Sequence, residues 1–437
     1  MQGCVAAAVC GGRLFLGFPN FDLPFSIFAL RLMLKSSRMQ NLGLYIQVPF
    51  CQTKCTYCNF HTGVVPADRF PPYIQAVCRE IETVRELFRA AGVHWQLGFD
   101  WESLRQTPLP HPTVETVYIG GGTPSLLDPA LLGQLLRTVR RSFPCSWEEV
   151  TLEADPETIE AEKAHPWVSA GIDRISFGSQ SFVDAELKAA GRMHRSVDIY
   201  AAVPILRNAG IRNISFDLIA GLPKQTRDSW RHSLAETIAL SPEHVSVYMM
   251  EIDEGSRLGL EVLQHGSRYS ARELPSEEAM ADFYELAQSE LKAAGYEQYE
   301  ISNWAKPGFA SKHNLKYWRR EPYLGFGAGA HSFSGKQRWA NVHDPAAYVS
   351  AISTGKPAIE SVHPVTREEA LEEELFLGLR QLAGIDLARI EEQYGVDLNE
   401  KIGRLASNGL VERHGDVLRL APARLSVSNE VLVELLR

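Results

Sequence analysis

The chain reads as an α/β protein built on a partial barrel of strand–helix units, with a small helical, winged-helix-like domain at its C-terminal end. Three observations predict this. Apolar strand-like runs alternate with amphipathic helical stretches from Leu44 to Ala294, and βα repeats of this length give a parallel sheet with right-handed crossovers. Glycines or polar side chains follow the strand-like runs, which is where barrels carry their functional residues. Beyond Thr366 the pattern changes to three helices, a hairpin across Gly415 and a last helix over residues 428–436.

Taken in order, a strand over residues 44–48 leads into a cysteine-bearing loop. Residues 71–91 are expected to form one amphipathic helix, because Ile74, Val77, Cys78, Ile81, Val84, Leu87 and Phe88 recur at helical spacing. Residues 93–112, with Trp95, Trp101 and three prolines, read as an irregular surface insertion. A strand over residues 114–119 then runs into Gly120, Gly121, Gly122, Thr123 and Pro124. Such a run either lets a ligand approach the backbone or makes a tight turn into the next helix. Strands over 150–153, 174–179, 213–219 and 244–250 alternate with helices over 156–170, 195–209 and 226–240. A long acidic loop precedes a helix over 276–294. Glu153, Gln180 and Asp217 join the cysteine loop and the glycines at the strand ends. Farther on, the glycine-rich loop GFGAGAHSF, with His331, is expected to close the barrel mouth.

Composition narrows the function. With 437 residues, 45% hydrophobic and 22% charged, the chain is ordinary globular material and long enough for more than one domain. A net charge of -9 argues against a nucleic-acid surface. The winged-helix outline is no exception, since residues 366–437 hold nine Lys and Arg against fourteen Asp and Glu. That segment is read as a lid or docking domain. Cys4, Cys10, Cys78 and Cys145 are scattered without framework spacing, which points to a reducing, cytoplasmic setting. Residues 1–38 carry Arg13, Arg31, Lys35 and Arg38 against Asp22, with apolar runs too short to span a membrane. They are read as lying outside the fold, either as a targeting extension or, preferably, because translation starts at Met39. The expected divisions are then 1–38 as an extension, 39–300 as the barrel, 301–365 as a barrel-closing region and 366–437 as the C-terminal domain.

Chemistry concentrates in residues 42–60, LGLYIQVPFCQTKCTYCNF, where Cys51, Cys55 and Cys58 stand at CxxxCxxC spacing. Sulfur surroundings suit zinc or iron–sulfur clusters. A zinc site would need a fourth ligand, which His61 could supply, and a disulfide with a spare thiol would need an oxidising compartment. A cubane cluster takes one cysteine per iron, so three cysteines leave one iron open to a small ligand. With Tyr57 before the last cysteine, the stretch resembles the CxxxCxΦC motif of the radical-SAM family. That resemblance implies a [4Fe-4S] cluster on Cys51, Cys55 and Cys58 and S-adenosylmethionine on the open iron.

The segments IGGGTPS, LEADPE, RISFGSQSF, GRMHR, SFDLIAGLPKQT and YLGFGAGAHS resemble those of oxygen-independent coproporphyrinogen III oxidases and their close relatives, over residues 39–437. By that resemblance Tyr45, Gly121, Gly122, Thr123, Glu153, Gln180, Arg192 and Asp217 line the S-adenosylmethionine site. Their chemistry agrees: glycines admit the methionyl group, carboxylates bind hydroxyls or an amine, and Arg192 can pair with a carboxylate. Singly, Glu153 and Asp217 would read as capping or solvated carboxylates; their joint place at strand ends favours a ligand role. Two positions depart from the oxidases, Phe60 where a further cysteine stands and Gln47 where a histidine is usual.

The stretch KHNLKYW, residues 312–318, fits the HNxxYW pattern of the HemW-type haem chaperones, a branch of the same family. It implies that His313, Asn314, Tyr317 and Trp318 hold haem, with an exposed imidazole on the iron and two aromatic faces against the porphyrin. The plain alternative is a core aromatic pair with a hydrogen-bonded histidine. The implied function is a haem chaperone that passes haem to an acceptor haemoprotein, with no catalytic residue assigned and with monomer and homodimer both open. Membrane contact would come only through the acceptor. The alternatives are oxidative decarboxylation of coproporphyrinogen III by a 5'-deoxyadenosyl radical, and a zinc-stabilised docking protein.

Overall fold

The protein is described by a computed structural model covering residues 41–59, 62–93 and 112–436. The N-terminal extension, Phe60, His61 and residues 94–111 of the expected insertion lie outside the described residues.

Six strands follow one another in space as in sequence: β1 (Leu42–Val48), β2 (Val114–Gly121), β3 (Cys145–Ala154), β4 (Arg174–Gln180), β5 (Asn213–Ala220) and β6 (His244–Met249), all parallel. Strict alternation gives this sheet two unlike faces. Ile46, Val117, Leu152, Phe177, Phe216 and Val247 point one way and are at most 1% exposed in a core shared with the crossover helices. Each such side chain contributes about 1.5–3 kcal/mol by leaving water. The other face carries Tyr45, Gln47, Thr116, Tyr118, Glu149, Glu153, Arg174, Asp217 and His244. The barrel therefore has a polar interior, and the βα pattern of the sequence is realised as a partial barrel.

Both edges of the parallel array are extended. After the helix Glu277–Ala293, β7 (Glu297–Glu300) and β8 (Asn303–Ala305) form a hairpin, and β8 runs antiparallel to β6. On the far side β9 (Tyr323–Phe326) lies parallel to β1, followed by antiparallel β10 (His331–Phe333), β11 (Gln337–Asn341) and β12 (Ile359–Pro364). The expected glycine-rich loop is the β9–β10 turn, held beside the end of β1 by the Tyr73 hydroxyl, which donates to the Gln47 carbonyl and accepts from the Ala328 amide, each at 2.9 Å.

Other expectations are corrected locally. The helix expected over 71–91 is two, Phe70–Glu82 and Val84–Ala90. Thr83 breaks it at φ -110° and ψ 18°, with its hydroxyl donating to the Arg79 carbonyl at 2.7 Å. The acidic loop after β6 contains a helix, Arg257–Leu263, capped by Ser256. The helix expected over 156–170 begins as a separate turn, Pro156–Thr158, and resumes at Ala161–Ala170.

At the C-terminal end lie helices Arg367–Gly378, Leu387–Tyr394 and Asn399–Ser407. Next come the hairpin of β14 (Val411–His414) and β15 (Val417–Leu420), with β13 (Ile385–Asp386) beside β15, and the helix Ser428–Leu436. This is the winged-helix-like arrangement read from the sequence. Thr366 and Glu369 cap the first of these helices reciprocally, the box that the spacing TREE encodes.

Candidate cofactor site and the HNxxYW helix

The cysteine loop leaves β1 at its carboxyl end and is tied down from three sides. The Gly122 and Thr123 amides donate to the Val48 and Phe50 carbonyls at 2.8 and 2.7 Å, joining the loop to the glycine run after β2. The Thr56 amide donates to the Ala190 carbonyl at 3.0 Å, and the Leu258 amide donates to the Thr56 carbonyl at 2.8 Å. Asn59 donates to Asp253 at 3.0 Å. On this fixed loop Cys51, Cys55 and Cys58 are free thiols, all partly accessible. Among the described residues no three His, Cys, Asp or Glu side chains converge on one metal ion. A cubane does not require such convergence, since each thiolate takes a different iron. Three unpaired thiols on one clamped, accessible loop therefore fit that group.

The glycines have a structural task as well as room to offer. A Cβ on Gly122 would lie 2.4 Å from the Phe50 carbonyl oxygen. Gly121 has φ 117°, and a Cβ there would lie 2.5 Å from the Gln47 side chain. A Cβ on Gly120 would lie 2.9 Å from the Glu153 carboxylate. The tight-turn reading holds here. What approaches the glycines in the protein itself is the cysteine loop.

Glu153 sits at the centre of the strand-end group. Its carboxylate accepts from the Gly121 amide at 2.8 Å and from the Tyr118 hydroxyl at 2.9 Å. Burial outweighs those bonds and pushes the carboxyl up to about 7. Asp217 on β5 accepts from Ser176 at 3.1 Å, and burial raises it despite the hydrogen bonds from Ser246, Ser176 and Ser215. Tyr45 donates to Gln47 at 2.5 Å. Gln180 ends β4 in the left-handed region, φ 60°.

Arg192 joins this group to the cysteines. It donates to Asp155, to the Gly178 carbonyl at 3.0 Å and to the Cys55 sulfur at 3.5 Å, while Thr123 donates to Asp155 at 3.1 Å. Asp155 was not singled out from the sequence. Its signal was its place in LEADPE, two residues beyond Glu153 and so on the same strand face. His194 was missed too. It lies 2% exposed with its ring nitrogen at the Ser179 carbonyl, and burial pushes it down to about 4.

The HNxxYW segment is a helix, Lys312–Trp318, set against the amino-terminal half of β2 and β3, away from the cysteine loop. The expectation of an exposed imidazole is corrected. His313 is fully buried, with Nδ1 on the Thr116 hydroxyl at 2.8 Å and Nε2 on the Tyr317 hydroxyl at 2.9 Å, so both ring nitrogens are engaged. Its ring lies 5.3 Å from that of Tyr118, and burial first, then Lys316 and Arg174, push it down to about 3. Asn314 is half-buried, its amide capped by Ser311. Trp318 packs under the Arg380 guanidinium at 4.6 Å, and its indole N–H lacks a partner. Tyr317 turns its ring toward Tyr323, with centroids 4.6 Å apart.

No helix among the described residues is long and apolar enough to cross a membrane. Residues 45–236 match the Radical SAM superfamily and residues 365–423 the HemN C-terminal domain. A solved structure of coproporphyrinogen III oxidase (HemN) from Escherichia coli superposes with a TM-score of 0.72 at 22% identity, covering 93% of each chain, and supports the fold. Among curated proteins, the heme chaperone HemW of Bacillus subtilis is 35% identical over 89% of this chain and 97% of its own. HemW of Escherichia coli is 36% identical over 67% and 70% respectively. The mitochondrial radical S-adenosyl methionine domain-containing protein 1 of Bos taurus is 30% identical over 91% and 88%. At 35% identity over 97% of the Bacillus subtilis protein, the chain belongs to the HemW haem chaperone family of radical-SAM proteins.

Proposed function

We propose that this protein is a haem chaperone, binding haem and handing it to an acceptor haemoprotein, and that it carries a [4Fe-4S] cluster and S-adenosylmethionine. The observation that carries the reading is the match to HemW proteins along nearly the whole chain. Cys51, Cys55 and Cys58 would hold the cluster, which when bound supplies reductive activation of S-adenosylmethionine. Tyr45, Gly121, Gly122, Thr123, Glu153, Gln180, Arg192 and Asp217 would form the nucleoside and methionyl site, with Asp155 orienting Arg192. The five described cysteines are all free, in keeping with a reducing cytoplasm. For haem, Tyr317 and its neighbours are the contact residues, and His313 positions the Tyr317 hydroxyl from within the barrel. The C-terminal segment from residue 366 serves as a lid or docking domain.

The test is anaerobic reconstitution followed by two assays. Haem-loaded protein mixed with an apo-haemoprotein should transfer its haem. Coproporphyrinogen III, offered with S-adenosylmethionine and a reductant, should not turn over. Repeated formation of protoporphyrinogen would establish the decarboxylase instead, and no transfer together with no haem binding would reject the chaperone.

A further inference from the structure

Outside the strand-end site, a cavity of about 440 Å³ opens between the helix Lys312–Trp318, strands β9 to β11 and the helix Arg367–Gly378. Its volume is in the range of small-molecule sites, roughly 300–1,000 Å³. One wall is aromatic: Tyr317 meets Tyr323 edge to face at 4.6 Å, and Tyr323 lies 6.3 Å from Phe333, with Phe376 facing them from the C-terminal segment. Two guanidinium groups flank Phe333, Arg338 at 4.2 Å and Arg320 at 5.1 Å from its centroid. Both share the Glu373 carboxylate, at 2.7 Å from Arg320 and 2.8 Å from Arg338.

Arg320 stands out among the lining residues. Its side chain is only 8% exposed and Nη1 lies 3.7 Å from Glu374, yet Nη2 has no hydrogen-bond partner. Its left-handed backbone, φ 50°, is the cap that closes the helix Lys312–Trp318, with the Glu321 amide donating to the Lys316 carbonyl at 2.8 Å. A buried guanidinium with an unused donor, beside a wall of aromatic rings, is matched by an apolar ring system that carries carboxylates.

We propose that this cavity is the tetrapyrrole seat, with the ring against Tyr317, Tyr323, Phe333 and Phe376 and a propionate carboxylate on Arg320 and Arg338. The assignment rests on the haem reading above and adds the recognition elements, one wall of which comes from the C-terminal segment. Glu321 at the rim is already paired with Lys316 at 3.0 Å. Glu372 adds a carboxylate that opposes the ligand's own, which suits a site that must release what it binds.

The experiment uses the full chain and two metal-free probes, protoporphyrin IX and its dimethyl ester, followed by porphyrin fluorescence. The diacid is expected to bind at least tenfold more tightly than the diester. Arg320→Gln should abolish that preference. Leu377→Trp, which fills the cavity without touching an ion pair, should remove binding of both probes. Glu372→Gln should tighten the diacid severalfold, a gain that misfolding cannot mimic. Equal binding of diacid and diester, or full affinity in Leu377→Trp, overturns the assignment. Hemin separates the two levels. If the wild type and Leu377→Trp bind hemin equally, the chaperone reading survives and this cavity is not its seat; if the wild type binds neither hemin nor porphyrin, both fall.

Discussion

Replacing His313 by alanine tests whether the signature histidine works on iron or on the fold. In the structure both imidazole nitrogens are used, on Thr116 and Tyr317, and the ring is fully buried against Tyr118. Removing it orphans two buried hydroxyls at about 1–3 kcal/mol each, and the vacated volume adds on the order of 1 kcal/mol. Hydroxyl rotation relieves part of the first cost, so the expected loss is about 3–5 kcal/mol. At a urea slope near 3 kcal/mol/M that moves the unfolding midpoint down by about 1 M or more. The pH dependence supplies an independent check. Because the folded imidazole titrates near 3 and a free one near 6.5, the unfolded chain takes up its proton first as pH falls. Stability from this group is therefore present above pH 6.5 and is lost toward pH 3, at about 1.4 kcal/mol per pH unit. His313→Ala should remove one proton's worth of that slope. Its haem absorption band, measured on folded protein, should keep its position because the iron ligand is untouched. A variant of wild-type stability that has lost its iron band would refute the argument and make His313 the ligand.

Three further outcomes are expected. Cys55→Ala should purify anaerobically with little iron or sulfide, because three thiolates are proposed to hold the cluster; normal iron content would rule that out. Gly122→Ala should destabilise the protein by about 2–4 kcal/mol and lower cluster occupancy together, since its Cβ would meet the Phe50 carbonyl at 2.4 Å and push the cysteine loop off β2; an unchanged melting curve would show that the backbone gives way. S-adenosylmethionine binding to reconstituted protein should weaken as pH falls below 7, where burial protonates the Glu153 acceptor, and Glu153→Gln should flatten the profile; a flat wild-type profile would remove Glu153 from the site.

What could be read in advance follows from where the information lies. The strands of the barrel announce themselves because one face is wholly apolar, so Leu44 to Val48 or Phe216 to Leu218 stand out against the polar loops. The cysteine loop and its partners were legible because sulfur spacing and glycine runs are local. Asp155 and His194 were not. Each acts by contacting residues far off in sequence, Asp155 on Arg192 and His194 beneath Ser179. The break at Thr83 escaped because helical periodicity continues through it and a hydroxyl bonding back one turn leaves no mark in that pattern. His313 failed for a related reason. The pattern HNxxYW marks the segment, but whether a histidine faces solvent or a barrel floor is decided by β2, nearly two hundred residues earlier.

The two proposed sites lie at opposite ends of one strand, and that bears on the choice between carrier and enzyme. Thr116, which holds His313, and Gly121, which holds Glu153, are both in β2. Five residues of extended chain separate them by about 17 Å. Between them runs an unbroken series of contacts: Gly121 to Glu153, Glu153 to Tyr118, Tyr118 against His313, His313 to Tyr317 and Tyr317 against Tyr323. Hydrogen abstraction needs reacting atoms about 3–3.5 Å apart, so with a tetrapyrrole in the proposed seat the carrier reading requires the intervening Tyr317, His313 and Tyr118 side chains to keep it from the strand ends. The same series leaves a packed route by which ligand binding at one end can bias the other. Haem affinity measured with and without S-adenosylmethionine, against S-adenosylmethionine affinity with and without haem, must then change by one common factor, and Tyr118→Phe, which breaks the bond to Glu153, should reduce it.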